Sequence, residues 1–254
     1  MFKKRLHLYV SRSSWLAMAD EAVPGSGPAA GTHSDACDAD WKKVGDALHA
    51  RFGGGRSVQV VLSSRLCSFI VLPWLSDKYT ATAIRTYAMQ ALAANSGIST
   101  ATHHVEFDLP EFGRPILAIA YPRGVTDAIS SGLESSGYLL RSVTASVDPV
   151  LRKYARHINA DAGLLAFAED DGVTAVTIEA GVVAQIESLG PEEHGLDELA
   201  VWSSRKRLGF ANDERMRWLG STGKPEAFHG VELAAGSAEE LASAGHGVLF
   251  ACRS

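Results

Sequence analysis

The chain has 254 residues, 46% of them hydrophobic and 21% charged, and a net charge of −5 at neutral pH. That length carries one large domain or two lobes of ordinary size, and the composition provides for a substantial buried core. The acidic balance argues against a general nucleic-acid binder, which needs a basic face to offset phosphate charge.

The cysteines, Cys37, Cys67 and Cys252, form no pair spacing. They read as reduced thiols of a cytosolic protein, with no zinc site. Lys3, Lys4 and Arg5 are not followed by an apolar run, because Arg12, Ser13 and Ser14 interrupt, so no signal peptide is expected. No uninterrupted apolar stretch approaches the about 18 residues of a transmembrane helix, so no integral membrane segment is expected.

Leu6 to Val10 and Trp15 to Ala19 read as two strands joined by the polar run SRSS. Asp20 to Asp38, rich in Gly, Ala, Pro and Ser, reads as a flexible loop. Trp41, Val44, Leu48 and Phe52 then recur at helical spacing, and Gly53-Gly54-Gly55 closes that helix. Val58 to Leu62 and Leu66 to Leu72 are almost continuously apolar, as in strands covered on both faces, and are expected to pair as a hairpin ended by Pro73. Ser76 or Asp77 is the expected cap of the next helix, whose stripe is Ile84, Tyr87, Ala88, Ala91 and Leu92 and whose stop is Asn95-Ser96-Gly97.

A second hairpin is expected from Thr102 to Asp108 and from Pro115 to Tyr121. Pro122 opens a helix that buries Val125, Ala128, Ile129, Gly132 and Leu133. A strand from Tyr138 to Val147 leads to Asp148-Pro149, a strong helix start, with Leu151, Tyr154, Ala155 and Ile158 as the stripe. Gly163–Ala168, Val173–Glu179 and Val182–Glu187 form a meander that turns through EDDG and AG. Beyond Gly190 the reading is helix for 196–208, extended for 215–219 and 228–233, helix for 237–244 and extended for 248–252. A lobe boundary is expected near Asn159, giving lobes of 1–158 and 159–254.

The runs VVLSSRLCSFIVLPW, AIRTYAMQALA, HHVEFD, ILAIAYPRGVTDAISSGLESSGYLLRSV and SVDPVL, in that order, carry a resemblance. Over roughly residues 58 to 187 the chain resembles the actin-like cytoplasmic domains of type II secretion L proteins and type IV pilus M proteins. The resemblance implies an α/β fold of two RNase H-like lobes, with a hairpin-and-helix subdomain inserted in the first. It also implies a place on the cytoplasmic side of the inner membrane. The implied partners are the cytoplasmic tail of an inner-membrane assembly subunit and, as a second candidate, an assembly ATPase. The L proteins continue into a transmembrane helix and a periplasmic domain, whereas this sequence runs to Ser254 with neither, so an M-like or split arrangement is expected. Nucleotide-binding members of the class use Asp-x-Gly loops. Here Ser11-Arg12-Ser13-Ser14 has no Asp or Gly, and Glu169-Asp170-Asp171-Gly172 lacks the Asp-x-Gly-x-x-Thr order. The resemblance therefore carries over neither a cofactor nor ATP hydrolysis.

Other tempting residues have plainer readings. His104, Glu106 and Asp108 share one strand face, with His103 on the other, and read as a solvated face rather than a metal site. Glu169-Asp170-Asp171 reads as a solvated acidic turn. Ser13-Ser14 and Ser63-Ser64 read as turn serines, outside any Gly-x-Ser-x-Gly elbow. Gly53-Gly54-Gly55-Arg56 precedes a strand, whereas a phosphate loop opens a helix. Arg205-Lys206-Arg207, with Trp202, Leu208 and Phe210, reads as a solvated helix end rather than a lipid-facing surface. No catalytic residue, metal ligand or cofactor is assigned. The function expected is a non-catalytic scaffold of a pilus or type II secretion-like machine, binding a membrane subunit in a groove between lobes. The alternative is a nucleotide-dependent phosphotransferase of the actin and hexokinase class.

Overall fold

The computed structural model describes residues 5–20, 28–75, 79–107, 112–154, 162–190, 192–207, 216–219, 231–232 and 248. The first sheet is built from β1 (Arg5–Val10), β2 (Ser14–Ala19), β3 (Ala29–Thr32), β4 (Ser57–Leu62) and β8 (Leu139–Ala145), in the order β3-β2-β1-β4-β8. Strands β1, β2 and β3 form an antiparallel meander, and β4 and β8 add in parallel. Parallel neighbours need long crossovers. Helix α1 (Trp41–Phe52) lies in the connection to β4, and α3 (Arg123–Ser135) precedes β8. Asp40 caps α1 by accepting from the Lys43 N–H. The two helices touch backbone to backbone, since a Cβ on Gly132 would lie 2.4 Å from the Cβ of Trp41. Helix α4 (Val147–Tyr154) follows β8 directly and buries Val147, Val150 and Tyr154.

Three expectations change here. The apolar runs on either side of Ser63–Leu66 do not pair as a hairpin. A single 3₁₀ turn at Ser64–Leu66 separates them, and β5 (Ser68–Leu72) leaves for another sheet while β4 lies between β1 and β8. Cys67 falls in that turn, ahead of the strand. Part of the Gly- and Ala-rich stretch expected as loop is strand β3, which needs only backbone pairing to β2.

Between β4 and β8 the chain forms a separate antiparallel sheet, β5-β7-β6, with β6 (His103–Phe107) and β7 (Ile116–Pro122), covered by α2 (Ala81–Ser96). The β6–β7 hairpin is as expected; Asp108 lies outside the described residues. Alternation along β7 divides its work. Ile116, Ala118 and Ala120 pack under α2, whereas Ile119 and Tyr121 join the main core. The buried stripe of α2 is Ile84, Ala88, Met89 and Leu92, so Met89 takes the place expected for Tyr87, which is exposed. The helix starts at Ala81 with Thr80 as cap and ends at Gly97; the expected caps Ser76 and Asp77 lie outside the described residues.

The last sheet has β9 (Ala162–Glu169), β10 (Gly172–Glu179), β11 (Val182–Leu189), β12 (Met216–Leu219) and β13 (Val231–Glu232), in the order β11-β10-β9-β12-β13. Its meander matches the expected three strands and both turns. Both faces of β9 are buried. Leu164, Ala166 and Ala168 meet Leu199 and Trp202 of α5 (Glu192–Arg207), and Leu165 and Phe167 pack into the core of the first sheet. Trp202 is thus a core residue with its Nε1–H donated to Glu187, which removes the aromatic from the surface imagined around Arg205. Leu208, Phe210, Asn159 and the stretch 237–244 lie outside the described residues. Val248, expected in an extended segment, is helical and buried in the main core.

Candidate functional site

In each five-stranded sheet the first two strands of the meander are joined by a tight turn, and the two turns face one another. The β1–β2 turn is Ser11-Arg12-Ser13-Ser14, with Ser11 fully buried and its hydroxyl 2.7 Å from that of Ser14. The β9–β10 turn carries Glu169, Asp170 and Asp171. Its carboxylates reach across the molecule. The Ser14 hydroxyl donates to Asp170 at 2.6 Å, and the Arg12 backbone N–H donates to Asp171 at 3.0 Å. A third piece, the 3₁₀ turn after β4, supplies the Ser63 hydroxyl to the other oxygen of Asp171 at 2.7 Å.

Glu169 is the innermost member. It is fully buried and accepts from the Ser64 N–H at 3.1 Å and from the Thr174 hydroxyl. The Ser64 hydroxyl in turn lies 2.8 Å from that of Ser146, which sits between β8 and α4. Burial and the neighbouring Asp171 push the Glu169 carboxyl up to about 7, against hydrogen bonds that favour its ionised form. Tyr9, fully buried on β1, has its phenol pKa raised by burial and by Glu169, Asp171 and Asp170, so it stays neutral. The Cys67 thiol is likewise raised by burial and by Glu169 and Asp171, which makes it a poor nucleophile.

Beside this cluster, Arg65 donates from Nη1 to the Leu189 carbonyl at 2.7 Å. Gly172 is needed where the chain passes this point. A Cβ there would meet the carbonyls of Leu189 and Gly190 at 2.8 Å and the Arg65 side chain at 3.0 Å.

The acidic turn is therefore not the solvated hairpin turn expected from sequence. It joins Ser11–Ser14 and Ser63–Ser64, residues read separately as turn serines, into one hydrogen-bonded lock between the lobes. Its chemistry is a set of hydroxyl and N–H donors already matched to carboxylates. Serine-rich turns at 11–14 and 63–64 were visible in the sequence, but nothing local marked Glu169 as buried or Ser146 as its neighbour's partner. His103, His104 and Glu106 lie elsewhere, on β6. His104 stacks on Tyr121 with ring centroids 5.3 Å apart, and His103 contacts Thr102. Among the described residues no group of three or more His, Cys, Asp and Glu is arranged to hold a metal ion, and no helix is long and apolar enough to cross a membrane.

No family model and no curated protein matches the sequence. Solved structures do. The cytoplasmic domain of EpsL, an inner membrane component of the type II secretion system of Vibrio cholerae, superposes with a TM-score of 0.63 at 12% identity, over 98% of this chain and 94% of that one. A Bacteroides thetaiotaomicron protein with an actin-like ATPase fold and unknown function gives 0.59 at 10% identity, over 98% and 96%. The PilM–PilN type IV pilus biogenesis complex gives 0.59 at 10% identity, over 85% and 81%. At these identities the likeness is one of fold. The chain has the α/β, actin-like architecture that its element order resembles.

Proposed function

We propose that this chain is a non-catalytic scaffold of a pilus or type II secretion-like assembly machine, acting at the inner membrane by binding the cytoplasmic tail of a membrane subunit. One observation carries the reading. In the actin-like class, loops at the two meander turns hold phosphate, yet here Asp170 and Asp171 of one turn occupy the Arg12 N–H and the Ser14 hydroxyl of the other, and Asp171 also takes the Ser63 hydroxyl of the 3₁₀ turn after β4. A nucleotide phosphate entering between the turns would bring negative charge against two carboxylates and displace their hydrogen bonds. The fold is then retained for its shape and surfaces. The likeness to an inner-membrane secretion component and to a pilus biogenesis complex supports the assignment to an assembly machine.

The first test is a thermal shift with ATP and Mg²⁺. The scaffold reading expects no change in melting temperature. A rise of several degrees, on the order of what tight ligand binding gives, overturns it in favour of the phosphotransferase alternative. A pull-down with the chain as bait should then recover a membrane-anchored subunit through its cytoplasmic tail.

A further inference from the structure

Helix α2 buries one stripe against its sheet and turns a second, with Arg85, Thr86 and Ala93, toward the outer edge of β6, the buried Met89 lying at the border of the two. Between them runs a groove of about 630 Å³, a volume within the range of sites that enclose ligands or side chains. Its floor is apolar, formed by Met89, Ala93, Ile98 and Val105, and its mouth carries the guanidiniums of Arg85 and Arg123.

Both guanidiniums are held in place through Nε. Arg85 donates to the Val105 carbonyl at 3.0 Å and lies 5.5 Å above the Phe107 ring. Arg123 donates to the carbonyls of Thr100 and His103 at 3.1 and 3.2 Å. Such anchoring leaves the Nη edge of a guanidinium as a preset fork that matches a carboxylate. Arg85 has Glu106 at 3.8 Å, a loose pair with both ends well exposed. Among the described residues Arg123 has no carboxylate within ion-pair distance. Burial holds the imidazoles of His103 and His104 below their ordinary pKa, so the groove's positive charge at neutral pH comes from the two arginines.

The edge of β6 is already used. The carbonyls of His103 and Val105 accept from Arg123 and Arg85, and the His103 N–H donates to Ser99. An occupant is therefore recognised by side chains and not by strand addition.

We propose that this groove binds a short acidic and aliphatic peptide segment of a partner protein, its carboxylate on Arg123 and Arg85 and its aliphatic side chain on Met89, Ile98 and Val105. The proposal rests on the scaffold reading only in taking the occupant to be a protein segment. It places that docking surface on the β5-β7-β6 sheet and its helix α2, away from the lock between the lobes.

The test is to pan a random dodecamer phage library against the full chain and to measure the enriched peptides by fluorescence anisotropy. The recovered peptides should share an acidic residue beside Leu, Ile or Met, and their affinity should fall with added salt. Arg123→Glu should weaken them by about tenfold or more, as loss of a desolvated charge pair does. Ala93→Trp, which fills the groove without removing a contact, should weaken them comparably while the melting temperature is unchanged. Absence of enrichment, peptides without acidic residues, or binding that both variants leave intact overturns the proposal. The nucleotide result is independent. A thermal shift with ATP would defeat the scaffold reading while peptide binding at the groove stood, and the reverse pattern would defeat the groove alone.

Discussion

The five-stranded sheets of the two lobes share one strand order and carry opposite chemistry at the first turn. In both sheets a three-stranded meander adds two parallel strands, and the first turn of the meander points toward the other lobe. The first lobe places the Ser14 hydroxyl and the Arg12 N–H there, with the Ser63 hydroxyl and the Ser64 N–H of the turn after β4 beside them; the second places three carboxyls. Identical topology thus sets two opposite chemistries face to face. The result is an interface in which the carboxylates of one turn are matched by hydroxyl and N–H donors of the other sheet. The lesson is that strand order locates a site, while the residues of two short turns decide whether it is open to a ligand.

If the lock and the shared core make the lobes one cooperative unit, a defect deep in the second should be felt by the whole molecule. Trp218 is fully buried in the second lobe, and Trp218→Ala should cost about 4 kcal/mol in urea denaturation. A single transition is expected; two separated transitions would mean that the lobes unfold independently and that the lock does little. The next largest effect is expected at Glu169. Its folded pKa of about 7 lies above the ordinary 4.5, so the folded protein keeps a proton that the unfolded chain releases. Stability should therefore fall as pH rises from about 5 to 8. Glu169→Gln should remove that fall, gaining up to roughly 3 kcal/mol over the parent at pH 8 and little at pH 5. Denaturation curves at the two pH values decide it, and a parent protein equally stable at both would refute the buried, proton-holding carboxyl. Asp171→Ala should cost about 1 kcal/mol, because it strands the buried Ser63 hydroxyl. It also removes the like charge beside Glu169, so the pH at which stability declines should move down; an unmoved midpoint would assign the Glu169 shift to burial alone.

Much of this molecule was legible in short windows of sequence. The stripe and closing glycines of α1, the β6–β7 hairpin, the start of α3 at Pro122 and the β9–β11 meander follow from spacing and turn residues. The misreadings share a cause. Val58–Leu62 and Leu66–Leu72 are both apolar throughout, a pattern satisfied equally by a local hairpin and by strands in different sheets. The partners that chose between these, β1 and β8 for one and β7 for the other, lie far away in the chain. Tyr87 and Met89 flank the stripe of Ile84, Ala88 and Leu92 on opposite sides, and only the sheet beneath α2 decided which was covered.

The candidate site was less legible still. Taken one turn at a time, its serines read as turn residues and its carboxyls as a solvated acidic turn, since polar turn residues ordinarily face water. By itself the sequence determined the elements and their order, because helix period, strand alternation, caps and turns are set by residues within a few positions of one another. Only the tertiary structure decided the pairing of the sheets, the burial of Glu169 and the meeting of Ser14 with Asp170 and of Ser63 with Asp171. Those contacts join residues more than a hundred positions apart, and their energetics depend on exclusion of water, which no local pattern encodes.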